Sequence, residues 1–187
     1  MLRKWHEDER KFRELVLYIC QKCATDPKFG ATKLNKILYF SDFLAYAELG
    51  DPITGFEYRR LPNGPAPKRL TSMRDDMISK RDLGVQTVWL RGGRTQHRVV
   101  NLRSPDLNVF TAAQISLVDR VIEELWDLDA DAVSELSHRM MGWRLADLNE
   151  VIPYETVFIS SEPLTETDVQ RARELRRMVH ESNQDHH

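Results

Sequence analysis

Cysteine is nearly absent: Cys20 and Cys23 are the only two in 187 residues. That excludes a disulfide framework, and a lone C-x-x-C without a second ligand pair does not make a zinc site. On a helix the two thiols share the apolar face, so they read as core residues. No run of about 18 apolar residues occurs, which argues against a transmembrane helix. The opening Met1-Leu2-Arg3-Lys4-Trp5-His6-Glu7-Asp8 has no apolar h-region, so the expected compartment is the cytoplasm. G-x-S-x-G, P-loop, Rossmann and H-E-x-x-H signatures are all missing. Accordingly no catalytic residue, cofactor-binding residue or metal ligand is assigned, and no cofactor is expected. Repeats, linkers and low-complexity stretches are lacking too, so residues 1–187 are expected to form a single domain.

Net charge is also small, at −2, but it is unevenly spread. Through Ser104 the balance is +8, with 20 Lys and Arg against 12 Asp and Glu. From Pro105 onward it is −10, with 7 against 17. Such polarity fits halves that attract each other, faces for different partners, or charges mixed over the folded surface.

What the chain does have is concentrated between Ala31 and Pro67. Leu34, Ile37, Leu38, Leu44 and Ala45 hold one helical face, and Tyr39, Phe40, Phe43, Tyr46 and Ala47 cover much of the rest. A helix apolar on most sides is packed on most sides, so this is the expected central helix. Thr32 is its expected N-cap and Gly50 its stop. Lys33 and Lys36 sit where the helix dipole disfavours positive charge, so they face a carboxylate or a partner, or are simply solvated. Asp42, inside this apolar helix, needs a partner, and a salt bridge to Lys33, Lys36 or Arg60 is expected.

Phe56 to Leu61 alternates as a strand, and Pro62-Asn63-Gly64-Pro65 ends it as a turn, with Pro65 suited to open the next helix. Upstream, Phe12, Leu15, Val16, Ile19, Cys20 and Cys23 predict an amphipathic helix over about Glu7–Ala24. Downstream, Leu70, Met73, Met77 and Ile78 give a helix to about Lys80. Val85–Leu90 and Thr95–Leu102 flank a hairpin turn at Arg91-Gly92-Gly93-Arg94, and the earlier strand is expected to join the same sheet. Thr111-x-x-Gln114 is a capping box opening a helix with Ile115, Val118, Val121, Ile122, Leu125 and Trp126 on its apolar face. Ala132, Val133, Leu136 and Met140 mark another helix, ending at Gly142, and Trp143 begins a short irregular or helical piece. Val151 to Tyr154 reads as turn-like and Val157-Phe158-Ile159 as a short strand. A last helix is capped by Thr165 and Asp168, with Val169, Ala172, Leu175 and Val179 inward. The fold class is α+β: about six helices around one core, with a small antiparallel sheet that includes a β-hairpin.

Lys33-Leu34-x-Lys36-x-x-Tyr39-Phe40-x-Asp42, then Ile53-Thr54-Gly55-x-x-Tyr58, then Gly64-Pro65, resembles the Panacea domain of SocA-like antitoxins. Leu136-Ser137-His138 followed by Trp143 is similar to that family's second signature. The resemblance implies an antitoxin that neutralises a cognate protein toxin, encoded beside it, by binding and without chemistry of its own. The family is paired with many unrelated toxins, so it names no particular one.

Some residues carry a second reading. His138 beside Ser137 suggests acid–base chemistry, but neighbours on a helix point apart, so a structural bond to a backbone carbonyl is expected instead. Helix, helix, strand, helix and an arginine-tipped hairpin also suggest a winged-helix DNA-binding regulator, with Arg91, Arg94 and Arg98 as the wing. Asp75, Asp76 and Asp82 and a pI near 6.3 weigh against phosphate binding. A protein partner is therefore favoured over nucleic acid, and no membrane is implied. Exposed aromatic and arginine side chains make good interface anchors, which gives Tyr58 and Arg59 on the strand and Arg91 and Arg94 at the hairpin tip.

Overall fold

A computed structural model of the chain describes residues 5–89, 93, 95–159 and 170. Its helices are α1 (Glu9–Lys22), α2 (Ala31–Leu49), α3 (Leu70–Ser79), α4 (Ala112–Leu125), α5 (Ala130–His138) and α6 (Met141–Leu145). Its strands are β1 (Tyr58–Arg59), β2 (Ala66–Pro67), β3 (Leu83–Trp89), β4 (Thr95–Asn101) and β5 (Val151–Ile152). The class is α+β, as the composition of elements in the sequence implies.

Helix α2 packs against α1, α4, α5 and β2, which is why so few of its sides are polar. Leu34, Ile37, Leu38, Tyr39 and Phe43 are each at most 1% exposed. Helix α1 begins at Asp8, whose carboxylate accepts from the Lys11 amide at 2.9 Å, and it buries Phe12, Leu15, Val16 and Ile19. Phe12 stacks on Phe56 with ring centres 4.1 Å apart. Both cysteines lie buried in the same core; burial raises both thiols, Cys23 up to about 12, so neither is a ready thiolate. The capping box on α4 forms in both directions, Thr111 with Gln114.

Several expectations are corrected. Gly30, not Thr32, is the N-cap of α2; Thr32 already lies in the first turn, and no side chain caps the helix. Gly50 does close it, at φ 85° in the left-handed region. Pro65 does not open a helix: Ala66 and Pro67 first pair as β2 with Arg59 and Tyr58, and α3 starts only at Leu70. Val151-Ile152 is a strand, pairing with Arg59 and Tyr58 on the other side. The order β2-β1-β5 is thus one small antiparallel sheet and β3-β4 a separate hairpin, where one shared sheet was expected. Residues Tyr154–Phe158 form a 3-10 helix instead of a strand, and Gly142 lies inside α6 instead of ending α5. Arg91, Arg94 and the last helix expected after Thr165 lie outside the described residues.

The hairpin register runs from Leu83 opposite Asn101 to Trp89 opposite Thr95. Its β4 strand packs on α1, and Arg98 donates to the Cys23 and Ala24 carbonyls, tying it to the α1–α2 loop. Beneath it, Arg103 bridges Glu14 and Asp82 at 2.7–2.9 Å, and its bonds hold the Glu14 carboxyl below the usual range. No helix among the described residues is long and apolar enough to cross a membrane.

Candidate functional site

Three charged residues of α2, Lys33, Lys36 and Asp42, reach into the core, and each engages a different segment. Asp42 is fully buried. It accepts from the Thr54 amide at 2.7 Å, from the Thr54 hydroxyl and from the Tyr58 hydroxyl at 2.8 Å. The expected salt bridge to Lys33, Lys36 or Arg60 is not what holds it; three neutral donors do that work. Burial nevertheless raises the Asp42 carboxyl, against the bonds that lower it. Burial also pushes the Tyr58 hydroxyl well up, with Asp42 adding to it. Tyr58 is 0% exposed, so the structure makes it a core residue and removes it from the outward-facing anchors.

Lys33, one turn into the helix, is 1% exposed and pairs with the equally buried Asp26 at 2.7 Å. It also donates to the Trp126 and Leu128 carbonyls, at 2.6 and 2.9 Å, where α4 ends. A carboxylate does face this lysine, as the dipole argument allowed.

Lys36 is different. It is equally buried, yet its ammonium donates to a single acceptor, the Pro65 carbonyl at 3.0 Å. Burial lowers it to about 8. It lies against Gly64, whose φ of 93° needs a glycine; a Cβ there would stand 2.6 Å from Nζ and 2.4 Å from the Ser137 oxygen. Ser137 is buried and donates to the Ser134 carbonyl at 2.7 Å.

Next to it, His138 stacks on Trp143 with ring centres 4.0 Å apart, and the Arg60 guanidinium lies 4.5 Å from the Trp143 ring. Trp143 donates to the Leu61 carbonyl at 3.1 Å. The expected bond from His138 to a carbonyl is replaced by this stack. Its Nε2 is enclosed without a hydrogen-bond partner, and so is Nε of Arg60. Burial first, then the Lys36 charge, lowers the imidazole below its ordinary value. A cleft of about 320 Å³ opens here, lined by Thr32, Asn63, Asp131, Ser134, Glu135 and His138, the two acids being exposed.

Arg59 leaves the sheet half-exposed, its Nε also without a partner. Among the described residues no three His, Cys, Asp or Glu side chains gather as a metal site. On α3, Asp76 is bound to Arg13 and Lys80.

The molecule is thus an α+β scaffold whose buried polar side chains fasten loops to one central helix. It belongs to the family described as antitoxin SocA-like, Panacea domain, which matches residues 34–144, and its role lies in a toxin–antitoxin system. That span runs from α2 to α6 and carries the Lys36, Asp42, Tyr58, Gly64, His138 and Trp143 cluster. No curated protein and no solved structure matches the chain.

Proposed function

We propose that this protein neutralises a toxin encoded beside it by binding that toxin directly, in the cytoplasm and without catalysis. The family match over residues 34–144 is the observation that carries this reading. The side chains add support. Ser137 donates to a carbonyl, both thiols are held protonated by burial, and the one buried carboxylate of α2 is saturated by donors. None of these is poised as a nucleophile or base.

Arg59 remains a candidate anchor, together with Arg91 and Arg94. The test is co-expression: the neighbouring gene product should be lethal alone, rescued by this protein and recovered with it on purification. The double reversal Arg91→Glu with Arg94→Glu should weaken rescue while leaving the thermal melt unchanged. Undiminished rescue would remove the hairpin tip from the contact surface. Failure to recover the neighbouring product would refute direct binding.

A further inference from the structure

The molecule's two sheets treat their edges differently. In β2-β1-β5 every strand is two residues long, too short to offer another chain a template. Strand β3 is seven residues long, and Leu83-Gly84-Val85-Gln86-Thr87-Val88-Trp89 contains no charge and no proline. Its register with β4 runs unbroken, so it has no bulge either. Charges, prolines and bulges are the devices that ordinarily keep an edge strand from pairing.

Which main-chain groups of β3 are free follows from one bond. The Leu102 amide donates to the Asp82 carbonyl at 2.8 Å, so residues 82 and 102 form a hydrogen-bonded pair at the end of the ladder. Antiparallel pairs alternate between bonded and non-bonded. Gly84, Gln86 and Val88 therefore turn their amides and carbonyls to β4, while those of Val85, Thr87 and Trp89 point away from it. Among the described residues no hydrogen bond reaches these outward groups. The flank is open as well: Val85 is 52% and Trp89 76% exposed, and Thr87 between them is exposed. Strand alternation puts these three side chains on one face.

We propose that this edge pairs with the same edge of a second copy of this chain, antiparallel about a two-fold axis at Thr87. The strand is its own complement there. Thr87 meets Thr87 of the second copy, and each Trp89 lies across from a Val85, an aromatic–β-branched pair that covers both exposed side chains at once. A strand uncharged from end to end sets no like charges against each other when it meets itself. About six main-chain hydrogen bonds form, and the two hairpins become one continuous sheet. The pairing is isologous, so it closes at two chains. The contact is smaller than that of a permanent dimer, so it forms and parts with concentration. It is independent of toxin binding.

Sedimentation of the purified full chain over a range of concentrations tests this, with thermal melts at the dilute end. The wild-type mass should rise toward that of two chains. Thr87→Pro removes an outward N–H and none that β4 uses; Val85→Glu sets a carboxylate against Trp89 of the second copy. Each should weaken association at least about tenfold while melting like the wild type when dilute. Thr87→Val keeps the N–H and the branched shape and should associate as the wild type does; an equal loss there would assign the effect to the side chain and overturn the edge pairing. Where Thr87→Pro disturbs the melt of the hairpin itself, Val85→Glu decides alone. A wild type that stays monomeric throughout overturns the inference. So does a dimer that both variants leave intact, because its contact would lie elsewhere. If the chain alone is monomeric and the two variants lose their hold on the neighbouring gene product, the edge takes a strand of the toxin and the second copy is wrong.

Discussion

At the scale of single residues, the polar atoms around α2 make opposite predictions about pH and mutation. Lys36 has a folded value lowered from 10.5 to about 8, so the unfolded chain binds more protons between those values. Stability should therefore rise as pH goes from about 8 toward 10, by up to about 3 kcal/mol from this group. Urea melts across that range should show the rise in the wild type and its loss in Lys36→Met. For Asp42 burial raises the carboxyl and its three donors oppose that rise, so those donors are where mutation should tell. Removing one by Tyr58→Phe should cost about 1.5–3 kcal/mol, the range for a hydrogen bond to a charged group. A melt unchanged by that substitution would mean that Thr54 alone satisfies the carboxylate. The sequence shows Asp42 as needing a partner, but its partners are hydroxyl-bearing residues 12 and 16 positions on. Nothing in a helical repeat points to them; the co-occurrence of Thr54 and Tyr58 in the same motif set was the available signal.

Among the elements, α2 should be the most sensitive to truncation. Leu38→Ala or Phe43→Ala removes a side chain at most 1% exposed, at a cost of roughly 2–5 kcal/mol. Urea midpoints near wild type in both would contradict its central position. Helices α1 and α4 were legible because each has one apolar stripe, and α4 also a capping box at Thr111. The strand at Tyr58–Arg59 was legible within the alternating Phe56–Leu61, but its partners β2 and β5 were not, because two-residue strands are too short to show alternation. Their pairing is fixed instead by what they bury: Tyr58 at 0% and Ile152 at 2% exposure, on segments almost a hundred residues apart. The start of α2 was misread for a related reason. Thr32 has the chemistry of a cap, but Gly30 has the extended backbone, φ −153°, that the capping position requires. Of the candidate anchors, Arg59 kept its outward place, Tyr58 did not, and the cleft beside His138 could not be seen until the Gly64 turn was folded against Lys36.

For the whole molecule, the order in which β1 acquires its neighbours sets a schedule during synthesis. Strand β2 follows it within ten residues, but β5 and Tyr154, whose hydroxyl donates to the Phe56 carbonyl at 2.7 Å, come near the end of the described chain. A nascent polypeptide still lacking residue 151 has α2 in place and one edge of the sheet open, with the aromatic cluster of Phe43, Tyr58 and Tyr154 unfinished. Ribosome-bound chains arrested with only residues up to Leu145 outside the exit tunnel should be cut readily by protease, and those arrested with Phe158 outside should resist. The stretch that defines the family, 34–144, stops short of that closure. The family stretch alone therefore leaves the second edge of β1 and its aromatic cluster open, and only a chain that has emerged past Tyr154 carries the closed core.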